Sequence, residues 1–166
     1  MLRTTLALAS CALLTTAACT IEPRTDREAA APSESPRRQV IQPEGVARLP
    51  VFSSAIRSGD FIFLSGALGA APNVNPPQVV EGGIEAETRQ TFENIEAVLA
   101  AAGATLEDIV KCTVFLANID DYAAFNAVYV QYFPNDPPAR AALAASGLAL
   151  GALVEIDCIA AAPAGR

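Results

Sequence analysis

The chain has 166 residues, a formal charge of −7, and neither histidine nor tryptophan. That length suits one domain with a real core, while the negative field repels nucleic acid and anionic membrane surfaces. Without histidine there is no Ser-His-Asp or Cys-His catalysis and no ordinary zinc ligand set, so chemistry must rest on carboxylates, arginine, hydroxyls, backbone amides or water.

Residues 1–18 read as a secretory leader. Arg3 supplies a positive start, an apolar centre runs from Leu6 to Leu14, and small residues precede Cys19. The segment is too short to span a bilayer as a helix. Small residues directly before a cysteine fit a bacterial lipoprotein site with Cys19 as the lipidated first residue, although Thr16 stands where leucine is usual. Cleavage after Ala18 without lipidation, or an uncleaved anchor, are the other readings. On the lipoprotein reading the protein is exported to the cell envelope, anchored or periplasmic, and meets a membrane only through its acyl chains. Residues 19–46 mix Pro, Ser, Glu and Arg with no apolar period and read as a flexible tether to a domain over 47–166.

Within that domain "SSAIRSGDFIFLSGALG" alternates around Ser58-Gly59-Asp60, which predicts a β-hairpin ending near Ser65-Gly66. The turn-rich "APNVNPPQVVEGG" is a loop. In "IEAETRQTFENIEAVLAAAG" Phe92, Ile95, Leu99 and Ala102 form one stripe, with Glu85 and Glu87 early and Gly103 as a stop: an amphipathic helix. "EDIVKCTVFLANI" predicts a central strand. "DDYAAFNAVYVQYFP" predicts a second helix with a stripe of Phe125, Val128, Tyr129 and Tyr132, closed by Pro134. Two strands follow near 140–146 and 153–161. The order ββ-α-β-α-ββ predicts an α+β domain, a mixed sheet with both helices on one face. The second face, apolar at nearly every strand position, is then expected to pair with another subunit. Cys112 and Cys158 each lie in an apolar strand; buried free thiols are the default reading, and a bridge in an oxidising compartment is the alternative. No metal-ligand spacing occurs.

Arg140 is the one lysine or arginine between Lys111 and Arg166, and it heads an apolar strand. If the last two strands form a hairpin turning near Ala149 and Leu150, Ala142 lies opposite Asp157 and Arg140 becomes its diagonal neighbour on the same face. A slip of one residue would separate them. The bland reading is a structural cross-strand ion pair. The functional one is a two-pronged clamp for a small carboxylate, a task arginine does better than lysine.

Residues 48–162 resemble the RidA (YjgF-like) reactive intermediate deaminases, through "GDFIFLSGALG", through "QTFENIEAVLAAAGATLEDIVKCTVFLANIDDYAAFNAVYVQYF", and through "PPAR" followed by "VEIDCIA". The resemblance implies a chorismate-mutase-like fold assembled as a homotrimer with sites between subunits. It also implies hydrolysis of enamine and imine acids such as 2-aminoacrylate and its imine tautomer to 2-keto acids and ammonia, with no cofactor. The family's carboxylate-clamping arginine falls on Arg140, its serine-glycine on Ser65 and Gly66, its helix asparagine on Asn126, and its water-directing glutamate on Asp157. Departures accompany these matches. The tyrosine lining the family's pocket is Phe52, which has no hydroxyl, and the position two after the arginine is Ala142, whose backbone amide remains. Ala149 replaces a proline in the final turn. A catalytically weakened module that binds small carboxylates, and an envelope chaperone or scaffold, are the competing functions.

Overall fold

The computed structural model describes residues 38–44 and 50–163. The leader over 1–18, Cys19 and the tether as far as residue 37 lie outside the described residues. The end of the predicted tether is structured: Gln39–Ile41 is a short strand, β1, laid antiparallel on β2. Ordered sheet therefore begins before the expected boundary at residue 47.

The predicted hairpin is β2 (Ala55–Ser58) and β3 (Phe61–Leu64), closed by a two-residue turn in which Gly59 takes φ 58°. Glycine enters that region without a Cβ penalty. A short β4 (Ala67–Leu68) follows the break at Ser65-Gly66. The first helix, α1 (Gly83–Ala101), buries Phe92, Ile95 and Leu99 as the stripe predicts. It also buries Glu87, Thr88 and Thr91, which the stripe did not include. Their polar atoms are satisfied locally. Thr88 Oγ1 donates to the Ile84 carbonyl (2.6 Å), Thr91 Oγ1 to the Glu87 carbonyl (2.7 Å), and the Glu87 carboxylate accepts the Leu153 N–H (2.8 Å). Gly103, at φ 73°, ends the helix, and Ala104 N–H returns to the Leu99 carbonyl.

The central strand β5 (Ile109–Leu116), the second helix α2 (Tyr122–Tyr132), β6 (Ala139–Ala144) and β7 (Val154–Ala161) complete the fold. The sheet order is β1-β2-β3-β7-β5-β6, with β4 also on β7. One face carries both helices. Its core is built from Cys112, Val114 and Leu116 of β5, Val154, Ile156 and Cys158 of β7, and Phe92, Ile95, Leu99 and Phe125 of the helices. An aromatic cluster joins the helices, with Phe92 stacked on Tyr132 at 4.4 Å and edge-on to Tyr129 at 5.7 Å. The opposite face is open, and Phe61 and Phe63 stand on it about half exposed.

The predicted terminal hairpin is not formed. β6 pairs with β5, in parallel, and β7 pairs with the other side of β5, antiparallel. The reason is the βαβ unit β5-α2-β6: the helix provides the long crossover that a parallel neighbour needs. The nine residues from 145 to 153 then carry the chain past β5 to its far edge.

The thiols, whose default reading was free, are joined. Cys112 and Cys158 are direct cross-strand partners with Cα atoms 4.1 Å apart, and their sulfurs form a disulfide. Both residues are buried, so the bridge staples the two central strands beneath the helices. Reduction, or replacement of both residues by alanine, is expected to lower unfolding stability by about 2–4 kcal/mol. The urea midpoint with and without reductant measures this, and identical midpoints would mean that the thiols are free.

Candidate active site

Side chains alternate along a strand and direct partners on adjacent strands share a face, so the registers assign every candidate to a side. Arg140 is opposite Cys112, and Ala142 opposite Val114, on the helix-covered side. Asp157 is opposite Thr113, which is opposite Ala141, on the open side. Arg140 and Asp157 are therefore separated by β5 and by the sheet itself. The expected meeting of guanidinium and carboxylate within one chain does not occur, and neither does the structural ion pair.

Arg140 instead rests on aromatic rings of α2. Its Cζ lies 4.3 Å from the ring centroid of Tyr129, 5.5 Å from Phe125 and 5.6 Å from Tyr122. Contacts of this kind favour a cation without neutralising it. Its Nη2 donates to the Tyr122 hydroxyl at 3.1 Å. Among the described residues no carboxylate pairs with it; the ion pair found there joins Arg89 to Glu85. Beside the guanidinium lies a cavity of about 380 Å³ lined by Asn126, Tyr129, Val130, Phe133, Pro137, Pro138 and Arg140. Asn126 thus joins Arg140 as expected, from the same helix that supplies the rings. Ala142 lies next along β6 and packs against the core.

The electrostatics follow from this arrangement. The Tyr122 hydroxyl, hydrogen-bonded by Asn126 and close to the Arg140 charge, has its pKa lowered. Burial raises that of Tyr129, with the nearby guanidinium opposing. The Tyr129 hydroxyl is buried and, among the described residues, meets no partner at full hydrogen-bond geometry, although the Arg140 guanidinium is close enough to act on it. A buried hydroxyl without a well-formed hydrogen bond costs free energy, so this one is a ready contact for a water or ligand in the cavity.

A second cluster forms where β3 breaks into β4 along the edge of β7. Ser65 is held by the hairpin end: its Oγ donates to the Ser53 carbonyl at 2.7 Å and its N–H to the Ser54 carbonyl at 3.0 Å. The Glu155 carboxylate lies against Gly66, with Oε1 in the space that a Cβ at 66 would need. Glycine at 66 is what admits that oxygen. Glu155 is opposite Leu68 on β4 and Phe115 on β5, so it shares the open face with Asp157 two residues later. Phe52, in the segment before β2, is about half exposed and does not line the cavity beside Arg140.

The structure brings Arg140 and Asn126 together at the cavity and sets Gly66, next to Ser65, against Glu155; Tyr122, Tyr129 and Glu155 are neighbours that the sequence does not single out as site residues. The signal for Glu155 was present in "VEIDCIA", where alternation puts both acids on one face and leaves two carboxylates to choose between. The choice of Asp157 draws on the resemblance and on a terminal hairpin, and the fold lacks that hairpin.

A family model described as endoribonuclease L-PSP matches residues 45–162. The chain is 40% identical over 124 residues to 2-iminobutanoate/2-iminopropanoate deaminase of Capra hircus, an alignment covering 75% of this chain and 89% of that protein. It is 36% identical over 129 residues to the chloroplastic Reactive Intermediate Deaminase A of Arabidopsis thaliana, covering 77% of this chain and 68% of the relative. Among solved structures, a conserved Rid-family protein from Yersinia pestis superposes with a TM-score of 0.70 at 37% identity, covering 75% of this chain and 98% of the other.

Proposed function

We propose, because the chain belongs to the RidA (YjgF-like) family covered by the endoribonuclease L-PSP model, that it hydrolyses small reactive enamine and imine acids of the 2-aminoacrylate/2-iminopropanoate type to 2-keto acids and ammonia. The observation that carries this reading is an arginine held on an aromatic cradle, with no carboxylate partner among the described residues, at the wall of a cavity. An RNA-cleaving role, which the name of the family model raises, runs against a charge of −7 and the absence of histidine.

The site is proposed to lie between subunits. Arg140 and Asn126 are on the helix side of the sheet, whereas Gly66 and Glu155 are on its open side. One small molecule cannot touch both clusters of the same chain. Two copies can meet the requirement if the unpaired edge at β6 of one approaches the open face of the next, and a closed ring of three does this without leftover surfaces. The exposed Phe61 and Phe63 on that face support such burial.

In the assembled site the guanidinium of Arg140 grips the substrate carboxylate with two parallel hydrogen bonds. The C2 carbon of a protonated imine is already electrophilic, so the protein need only orient a water and manage protons. Glu155 of the adjoining copy takes a proton from that water as its oxygen bonds to C2, giving a carbinolamine. Glu155 passes that proton to nitrogen and then takes the hydroxyl proton as the carbonyl forms and the C–N bond breaks; the departing ammonia carries this proton away as ammonium. Glu155 is preferred to Asp157 because its carboxylate reaches Gly66, while Asp157 is a methylene shorter and pairs laterally with Thr113.

The test is release of ammonia and 2-keto acid by the purified domain from freshly generated 2-iminopropanoate, measured above the buffer rate. Binding of pyruvate without turnover would retain the clamp and defeat the hydrolase. No excess rate and no binding would defeat both.

A further inference from the structure

Resting on the reading of Arg140 as a carboxylate clamp, we infer that Tyr122 is a positioning residue which sets the guanidinium in its gripping orientation before substrate arrives. Tyr122 is the first residue of α2, with its ring 5.6 Å below the Arg140 Cζ and its hydroxyl accepting from Nη2 at 3.1 Å. The same hydroxyl interacts with Asn126, one turn further along the helix and itself in the cavity wall. A single phenol thus ties together the two polar residues of the cavity that the sequence had singled out.

The choice of a phenol has a physical logic. A free arginine loses considerable rotamer entropy when it grips a carboxylate, and ordering it beforehand moves that cost from binding to folding. An aspartate or glutamate would order it too, but would also neutralise it and compete with the incoming carboxylate. A neutral hydroxyl accepts one N–H and leaves the charge whole. Arginine has five N–H donors, so after one is given to Tyr122 a complete two-pronged edge remains for the ligand. Tyr129 supplies the floor at 4.3 Å, while the bond from Nη2 to the Tyr122 hydroxyl at 3.1 Å fixes the rotation of the guanidinium about its long axis.

The test uses Tyr122→Phe, which keeps the ring and removes only the hydroxyl, alongside Arg140→Ala and the parent protein. Calorimetry with 2-oxobutanoate, a stable 2-keto acid, reads binding; initial rates on freshly generated 2-iminobutanoate read kcat and KM. Tyr122→Phe is expected to raise Kd and KM together by roughly fivefold, the effect of one hydrogen bond to a charged group at a partly exposed site, with kcat and the melting temperature unchanged. A residue that served only packing would not separate KM from kcat in this way. If Arg140→Ala abolishes binding while Tyr122→Phe binds like the parent, the clamp stands and the role of Tyr122 is overturned. A fall in kcat at unchanged KM would overturn it as well, by moving the phenol into the chemistry. Equal binding by the parent and Arg140→Ala would remove the clamp itself, and this inference with it.

Discussion

Replacing Arg140 with alanine is expected to lower kcat/KM for freshly generated 2-iminopropanoate by about a thousandfold, close to 4 kcal/mol of transition-state stabilisation. The size follows from what is lost: a two-pronged, charge-assisted contact in a partly desolvated pocket, and with it the alignment of C2 against its water. The fold should survive, because Arg140 caps the aromatic cluster and makes no ion pair with any described carboxylate. Arg140→Lys keeps the charge but not the planar fork, and should recover only part of the loss. Ammonia release under single-turnover conditions, with a thermal melt as the folding control, measures both variants. An Arg140→Ala protein that turns over at the parental rate would mean that substrate is held elsewhere.

The second large effect belongs to Glu155. Glu155→Gln preserves side-chain length and the recess beside Gly66 but can no longer accept a proton. It should reduce kcat by about a hundredfold or more while leaving KM nearly unchanged. Asp157→Asn, on the same face two residues later, should cost much less, because that carboxylate is opposite Thr113 rather than against the Ser65-Gly66 break. Steady-state kinetics on the two variants side by side decides between the acids. A larger kcat loss in Asp157→Asn would return the water-directing role to Asp157.

Much of the fold was legible because its periodic signals were strong. The stripes of α1 and α2, the Gly59 turn and the glycine stop at 103 are each local rules that tertiary context did not override. The helix stripe was incomplete only at Glu87, Thr88 and Thr91, polar residues whose burial depends on partners within one helical turn or at Leu153, far along the chain. The terminal strands failed for a different reason. Two consecutive strands suggest a hairpin, yet the nine residues between them exceed the usual hairpin loop, and the strand-helix-strand pattern ending at β6 asks for a parallel neighbour. Reading β5-α2-β6 as one unit would have separated β6 from β7 and shown Cys112 and Cys158 as candidates for direct pairing.

The candidate site was legible in proportion to its dependence on charge. Arg140 stood out because cations are so scarce in this half of the chain. Its cradle did not, since Phe125 and Tyr129 read as part of an ordinary core stripe and Tyr122 lies outside it, and only the approach of β6 to α2 gives those rings a cation to hold. Glu155 was obscured by Asp157, because alternation places them on one face and register alone tells them apart.

Complementation between two inactive variants tests the shared site most directly. Arg140→Ala and Glu155→Gln proteins, each inactive alone, are co-expressed and purified as mixed assemblies. If Arg140 of one copy works with Glu155 of the next, random mixing into closed rings should restore roughly a quarter of the parental activity per site, since one arrangement in four pairs two intact residues. Activity no greater than the sum of the separate variants would contradict a site built from two chains.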